Sequence, residues 1–409
     1  MNDMKKRHKM KLAIVMAFTL LLSTSLSACA TFDNFKEEFF NKQSEPEATV
    51  RIGVFEPLSG KDKEKGKLEV EGIELAHEMF PTALGKQVEL VKVDNKSDIN
   101  VAESAAKELV EKRVSIVLGS YGSANSLVAV KTFEDAKIPA IAITNTNPLV
   151  TSNNPYYFRV CLLESFQGVA LAKYAVEKLG TSSAAIMRPL NDDYATAVAQ
   201  RFSDKYIQMT GNTSSIVVTC DYDAGHKDFK DELQKIKDSG AQVVFLPTKI
   251  DDASQIIKQA KELKVNAVFL GTDHWDSPDL IKALGKDAAE GVTYSTIFDP
   301  NTDTTVMSDN FKKAYKAKYG EDAVPESAVA LAFDAYMIAI DTLNKTGSAL
   351  DGEKLKNTLL FTKSFPGSSG TITFDINGDP IKSVVVEQIH NGQGVSVYTM
   401  EPALVNMGV

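Results

Sequence analysis

Hydroxyl and amide side chains follow three apolar runs in the first half of the chain, at the points where buried strands would end. The segments are Glu56-Pro57-Leu58-Ser59-Gly60, Gly119-Ser120-Tyr121-Gly122-Ser123 and Thr144-Asn145-Thr146-Asn147-Pro148. Ligands of open α/β sheets bind beyond the carboxyl ends of the strands, so these segments are expected to meet at one edge. Hydroxyls and free amides beside a helix N-terminus suit a carboxylate, because backbone N–H groups and the helix dipole favour an anion.

The corresponding segments of the second half carry a different set of side chains. They are Asn191-Asp192-Asp193-Tyr194, Thr248-Lys249 and Gly271-Thr272-Asp273-His274-Trp275. A single carboxylate on this side would suit an ammonium group, because a nearby opposite charge stabilises the charged form. The two sides together predict a receptor for a zwitterion such as an α-amino acid.

The sequence lacks the motifs of common catalytic and cofactor chemistry. It contains neither a phosphate loop nor a dinucleotide fingerprint, and its five histidines show no metal-ligand spacing. The segment from Asp375 to Asp379 is similar to the start of a calcium loop, but Val386 stands where a bidentate glutamate is required. Ser120 and Ser123 lack a nucleophile elbow. We therefore expect no enzyme, no cofactor and no metal site.

Apolar runs alternate with helix-period stretches along most of the chain. Short buried runs separated by amphipathic helices predict βαβ units and parallel sheets with both faces covered. Two series, over residues 50–144 and 184–271, predict an α/β protein of two doubly wound parallel-sheet lobes. Further on, a strand pair is expected at residues 371–375 and 382–389. A turn at Asn391-Gly392 leads into a last strand at residues 395–399.

Composition and charge exclude several other classes of protein. The 409 residues are 44% hydrophobic and 24% charged, which is typical of a globular chain with room for two domains. The net charge of −9 argues against nucleic-acid binding. Three cysteines are too few for a disulfide framework; Cys161 and Cys220 either form one bridge after export or remain buried thiols.

The N-terminus has the pattern of a secretory signal. Five lysines and arginines between Lys5 and Lys11 precede an apolar run over residues 12–22 and the tetrad Leu26-Ser27-Ala28-Cys29. A transmembrane helix would need about 20 apolar residues, so the run is too short for one. The tetrad resembles the bacterial lipobox, which implies cleavage before Cys29 and attachment of acyl chains such as palmitate to it. Several acyl chains would anchor the protein durably to a membrane.

Several segments, taken in order, resemble the leucine/isoleucine/valine-type solute-binding proteins of ABC importers, which belong to the type I periplasmic binding proteins. The resemblance runs from about residue 50 to the C-terminus. It implies two lobes joined by three crossovers, with a ligand cleft that closes between them. The segments that carry it are residues 50–53, 57–60, 119–123, 144–148, 158–159, 164–168 and 371–379.

The expected division of the chain follows from this resemblance and from the N-terminal signal. Residues 1–28 would be the signal peptide and residues 29–48 a lipid-anchored tether. The N-terminal lobe would comprise residues 49–160 and 292–367. The C-terminal lobe would comprise residues 161–291 and 368–409.

Carried over by position, the resemblance implies roles for five ligand-binding residues. Ser123 would hydrogen-bond the ligand carboxylate, Thr144 would use its backbone groups and Thr146 its hydroxyl. Asp273 would pair with the α-ammonium, and Tyr194 would cover the ligand after closure. The alternatives are that Ser123, Thr146 and Asp273 cap helices and that Tyr194 packs at a helix start.

Lysines stand at two places where relatives often have an aromatic residue. Lys61, Lys63 and Lys65 follow the first strand end, and Lys249 follows another. These residues argue against a purely aliphatic ligand and favour a polar or acidic side chain, or an amide, unless they point to solvent.

The sequence thus predicts a monomeric, extracytoplasmic lipoprotein that delivers a small ligand to the permease subunits of an ABC importer. A sensory module that feeds a signalling receptor remains the alternative. An enzyme of unknown type is the third possibility, for which no nucleophile–base pair is evident.

Overall fold

The structure is a computed structural model in which residues 49–302 and 304–401 are described. The predicted signal peptide, the predicted tether and Cys29 lie outside these residues. Within them, no helix is long and apolar enough to cross a membrane.

Strands and helices alternate along the described chain as the apolar pattern predicts. The order is β1 Thr49–Glu56, α1 Lys63–Met79, β2 Thr82–Ala83, β3 Lys86–Asp94, α2 Ile99–Glu111, β4 Ile116–Gly119, α3 Ser123–Asp135, β5 Ala140–Ala142, β6 Tyr157–Arg159, α4 Glu164–Glu177, β7 Ala184–Pro189, α5 Asp193–Thr210, β8 Ile216–Tyr222, α6 Lys230–Ser239, β9 Val243–Phe245, α7 Ile250–Glu262, β10 Val268–Gly271, α8 Pro278–Leu284, α9 Lys286–Ala289, β11 Thr293–Thr296, α10 Val306–Tyr319, α11 Ser327–Thr346, α12 Gly352–Leu360, β12 Phe365–Gly367, β13 Gly370–Phe374, β14 Pro380–Ile381, β15 Val384–His390 and β16 Gln393–Met400.

Two large sheets confirm the prediction of two doubly wound lobes. The first has the strand order β2-β3-β1-β4-β5-β6, and the second has the order β16-β15-β11-β10-β9-β7-β8. In the first sheet β4 is parallel to β1 and β5, with Ile116 opposite Ile52. All four residues of β4 are buried, because helices cover both faces of a parallel sheet. The short strand β6 was not predicted.

Helix α1 lies close to α11 in the first lobe, and a glycine permits this approach. A Cβ atom built on Gly72 would lie 2.1 Å from the carbonyl oxygen of Val329, so no larger residue fits without a shift of the backbone. Ile73 and Ala76, on the same face of α1, are fully buried. This contact fixes the face of α1 that is turned towards the core.

The predicted pairing of residues 371–375 with 382–389 is wrong. Strand β13 instead pairs with β12 and with the short strand β14, in a separate three-stranded sheet. Strand β15 pairs with β11 and, across the turn at Asn391-Gly392, with β16 in the second sheet. The physical reason is packing: Ile372 and Phe374 are buried in the apolar core of the first lobe, whereas Val386 is buried in the apolar core of the second lobe.

Sheet membership also differs from the predicted lobe limits at residues 292 and 368. Strand β11 was assigned to the N-terminal lobe but belongs to the seven-stranded sheet, in which Thr293 lies opposite Leu270. Strand β13 was assigned to the C-terminal lobe but packs in the first core. The chain therefore passes between the lobes after β6, after β11 and after β14, which gives the three expected crossovers.

Arg159, at the first crossover, is a fully buried cation (0% exposed). Its Nε atom lies 2.6 Å from Oδ1 of Asp379, and its two terminal nitrogens donate to the Asn145 carbonyl at 2.6 Å and the Thr151 hydroxyl at 2.7 Å. Thr151 in turn donates to Asp379 at 2.8 Å. The guanidinium thus joins the segment after β5, the end of β6 and the turn before β14.

We expect Arg159→Met to destabilise the protein by about 3–5 kcal/mol, because the substitution leaves Asp379 and a backbone carbonyl buried without their cation. Urea denaturation of the chain from residue 49 measures this loss. Arg188→Met is the control, since Arg188 pairs with Asp221 at 2.8 Å on a partly exposed surface and its loss should cost less than about 1 kcal/mol. Equal losses for the two variants would contradict the prediction.

Candidate functional site

The turn between β4 and α3 presents backbone N–H groups at the edge of the first sheet. Gly119 has a φ of +106°, and a Cβ atom there would lie 2.2 Å from Oε1 of Glu56. Gly122 also has a positive φ, of +87°, and precedes the first helical residue, Ser123. The first N–H groups of a helix have no partner within it, so this half-buried end is suited to an anion.

Buried polar side chains hydrogen-bond to this turn and hold it in place. Asn95 donates to the Ser120 hydroxyl at 2.7 Å, and the Ser126 hydroxyl donates to Oδ1 of Asn145 at 3.2 Å. The Ser120 N–H donates to Ser126 at 3.3 Å. These bonds connect the turn to the segment that follows β5, so the two predicted anion-binding segments lie side by side.

The hydroxyls of Thr144 and Thr146 both face carboxyl groups of the protein. Thr144 donates to Oε1 of Glu69, and Thr146 forms a side-chain hydrogen bond with Glu164, whose own N–H donates to the Thr146 carbonyl at 3.2 Å. Both threonines are half-buried. Neither caps a helix of the described chain, so that alternative does not hold for Thr146.

Asp273 and Tyr194 meet in the second lobe. The Tyr194 hydroxyl donates to Oδ1 of Asp273 at 3.1 Å, and its ring stacks on His274 with 4.4 Å between the ring centroids. The Asp273 N–H donates to Oε1 of Gln167 at 3.0 Å, and Ser295 donates to the same oxygen at 3.0 Å. Asp273 thus begins a single turn of 3₁₀-helix with its carboxylate held by a phenol, and α8 is capped by Ser277 instead.

The charge of Asp273 acts on groups of the first lobe and of the first crossover. Burial is the largest cause that raises the pKa of the Tyr121 phenol, of the Cys161 thiol (to about 12) and of the Glu164 carboxyl (to about 7), and the Asp273 carboxylate contributes to each rise. Because such an effect requires proximity, Asp273 lies within electrostatic range of Tyr121, two residues before Ser123, and of Glu164, the hydrogen-bond partner of Thr146.

Lys249 lies near His274 but outside the hydrogen-bonded network around Asp273. It precedes α7, its side chain is exposed, and it lies within electrostatic range of His274, as does Lys65 of the first lobe. Lys65 is also 4.0 Å from Glu326. Both lysines are thus near His274 and not members of the buried hydrogen-bond network.

Sequence reasoning missed the buried acids that support the site. Glu56 directly follows the apolar run of β1, and Glu69 shares one face of α1 with Gly72, Ile73 and Ala76, at helical spacing. The signal in the sequence that could have identified Glu69 is an acidic residue on the apolar face of a predicted helix. Cys161 and Cys220 are free and buried. Within the described residues, no group of three or more His, Cys, Asp or Glu side chains could hold a metal ion.

Two α/β lobes joined by three crossovers define the class of type I periplasmic binding proteins. The comparisons agree with this class: residues 49–393 match the family described as Periplasmic binding protein. The chain belongs to that family, and to its leucine/isoleucine/valine type of ABC transporter solute-binding proteins.

Relatives and solved structures cover most of the chain. A leucine-, isoleucine-, valine-, threonine- and alanine-binding protein of Pseudomonas aeruginosa is 26% identical over 81% of this chain and 87% of its own length. The crystal structure of leucine-binding protein LivK from Thermotoga maritima is 32% identical with a TM-score of 0.78, over 87% of this chain and 99% of that one. LivJ of Streptococcus pneumoniae in complex with isoleucine is 26% identical with a TM-score of 0.76, over 87% of this chain and 100% of that one.

We expect the free energy of unfolding to fall less between pH 5 and pH 8 in Glu164→Gln than in the wild type. The folded protein raises the pKa of Glu164 to about 7, so its contribution to stability is complete below the unfolded pKa and is lost as the pH rises through about 7. The loss amounts to at most about 3 kcal/mol for this buried group. Urea denaturation of both proteins at pH 5 and pH 8 measures it, and an identical pH dependence would contradict the assignment.

Proposed function

We propose that this protein is an extracytoplasmic lipoprotein that captures an amino acid, or a related small zwitterion, by hinge closure and delivers it to an ABC importer. The observation that carries the proposal is the position of the Asp273 carboxylate. It belongs to the second lobe, yet its charge acts on Tyr121 in the turn that precedes α3. We take the Asp273 carboxylate to form a cation seat that faces an anion seat at Ser123 across one cleft.

The anion seat would hold the ligand carboxylate. The hydroxyl and N–H of Ser123 lie at the start of α3, where the dipole adds to their attraction for an anion. Thr146 would contribute its hydroxyl by exchanging the bond to Glu164 for one to the ligand. Thr144 would contribute backbone groups only, since its hydroxyl is directed to Glu69.

The cation seat would hold the α-ammonium. Asp273 is oriented by the Tyr194 hydroxyl and by its own N–H bond to Gln167. The Tyr194 ring, stacked on His274, would cover the ligand on this side. Ligand contacts on both lobes exist together only when the cleft is closed, so binding shifts the equilibrium towards the closed form.

A polar or acidic ligand side chain is the second candidate, and Lys65 and Lys249 favour it. Both lie within electrostatic range of His274 and come from opposite lobes. Their charges would attract a second carboxylate of the ligand at the margin of the cleft. Aliphatic amino acids, in contrast, gain nothing from two lysines.

The ligand class can be tested by thermal shift and calorimetry with leucine, isoleucine, valine, glutamate and simple amides. A true ligand at 1,000 times its dissociation constant should add about 4 kcal/mol of stability. Asp273→Ala should weaken binding by about 2–5 kcal/mol, because it removes the partner of a buried ammonium.

Asp279→Ala is the matched control, since Asp279 lies in the next helix with an exposed side chain. Equal affinity of wild type and Asp273→Ala would remove Asp273 from the site. Preference for glutamate over leucine would favour the second candidate, and no response to any of these compounds would refute the amino-acid proposal.

Cys29→Ser tests the proposed anchor. We expect the wild-type protein to incorporate labelled palmitate and to sediment with membranes, whereas the variant should be unlabelled and released, because no thiol remains for acylation. Cys220→Ser is the control that retains the lipobox. Membrane association of unlabelled Cys29→Ser protein would exclude anchoring by this residue.

A further inference from the structure

Two glutamates lie buried directly beneath the anion seat. Glu56 ends β1 and Glu69 lies on the inner face of α1, and both are 0% exposed. The two carboxyl groups act directly on each other's ionisation. A hydrogen bond between two such groups needs a proton, because an ionised carboxylate is an acceptor only.

The outer oxygens of this pair hold both segments of the anion seat. Oε2 of Glu56 accepts the Tyr121 N–H at 2.8 Å, in the turn that leads to Ser123. Oε1 of Glu69 accepts the hydroxyl of Thr144. The remaining oxygens, Oε1 of Glu56 and Oε2 of Glu69, are buried and have no hydrogen-bond partner among the described residues, which leaves them to share a proton with each other. The pair therefore links β1 and α1 to the two segments that the ligand carboxylate would touch.

The groups that surround the pair are neutral between about pH 5 and pH 9. Burial raises the pKa of the phenols of Tyr121 and Tyr157, and it raises the pKa of the Cys161 thiol to about 12. Charged groups act on these neighbours: Asp62 and Asp273 on Tyr121, and Arg159 on Cys161. Two charges of the site therefore change in this pH range: the one shared by the two glutamates, and the carboxyl of Glu164 beside Thr146, whose pKa is raised to about 7.

We propose that Glu56 and Glu69 are positioning residues for the ligand carboxylate, and that the proton they share keeps the anion seat in its binding geometry. The proposal rests on the proposed function, since the ligand would be bound by the segments that the pair holds. The new element is that the affinity for the ligand depends on the protonation of this buried pair as well as on the residues that touch the ligand.

The direction of the pH effect follows from the burial of the pair. Burial and the neighbouring carboxyl raise the pKa of Glu56 well above its usual value, and burial raises that of Glu69 to about 7. The folded state therefore binds protons more strongly than the unfolded chain, and the contribution of the pair to stability is lost as the pH rises through 7 and above. Loss of the last proton places two negative charges in one dry site, close to the ligand's own carboxylate.

Glu56→Gln is the informative variant. A glutamine keeps an oxygen for the Tyr121 N–H and supplies an N–H to Glu69, so both bonds of the protonated glutamate survive without a titrating proton. Titrations with the amino acid that binds the wild type, between pH 6.5 and pH 9.5, compare the two proteins. The ratio of the wild-type to the variant dissociation constant should rise about tenfold or more, since one pKa unit is a factor of ten. Taking the ratio at each pH removes the effect of the ligand's own ammonium titration, because that effect is the same for both proteins.

Glu69→Gln provides a second isosteric variant should Glu56→Gln fail to fold, and the same change of ratio is expected. Glu387→Gln is the control: Glu387 is a buried acid of the second sheet (3% exposed) that accepts the Tyr294 hydroxyl at 2.7 Å. The dissociation constant of Glu387→Gln should change with pH as that of the wild type does. Parallel profiles for wild type and Glu56→Gln, or an altered profile for Glu387→Gln, would overturn the proposal.

A readout without ligand separates this proposal from the proposed function. Selective ¹⁵N-tyrosine labelling gives at most twelve amide signals, and Tyr121→Phe identifies the one from Tyr121. That signal should move with pH in the wild type and stay fixed in Glu56→Gln, because the charge on its acceptor no longer changes. A pH-independent signal in the wild type would overturn the positioning role. A moving signal in a protein that binds no amino acid would refute only the proposed function.

Discussion

Two buried carboxyl groups support the edge on which the proposed ligand contacts of the first lobe are built. Glu56 and Glu69 come from a strand and a helix, and one oxygen of each accepts the Tyr121 amide and the Thr144 hydroxyl, respectively. Two acids stay buried together most easily with a proton between them, because two desolvated negative charges would repel. The Tyr121 amide, in the turn before α3, is held in place by one of these oxygens.

The second lobe meets this edge through a carboxylate held in a different way. Asp273 accepts one phenol hydrogen bond and lies at the end of β10, while Gln167 binds its N–H from α4. Arg159, Asp379 and Thr151 form a buried cluster at the crossovers. Hinge closure, as proposed, would move each lobe as a whole about the crossovers that this cluster joins.

The alternation of apolar runs was enough to predict two parallel sheets, because buried strands and amphipathic helices each have a period that side chains reveal. It failed where a short segment had no pattern of its own. Strand β6 has three residues and ends in a buried arginine. The pairing of β13 was misassigned because the Asn377-Gly378 turn that follows it indicates a hairpin but does not identify the partner strand, which is β14. The positions of Ser123, Thr146, Tyr194 and Asp273 followed from strand ends together with a family resemblance.

The sequence by itself determined the fold class, the family and the chemical character of the strand ends, since these depend on local periodicity and on residue type. Only the tertiary structure decided which side chains are buried: Thr144 is directed to Glu69, Lys249 is exposed, and Glu56 and Glu69 are both fully buried beneath the turn before α3. The reason is that burial and partnership arise from contacts between segments far apart in the chain. The sequence identifies a glutamate but does not show whether its carboxyl group is exposed to water or buried beside another acid.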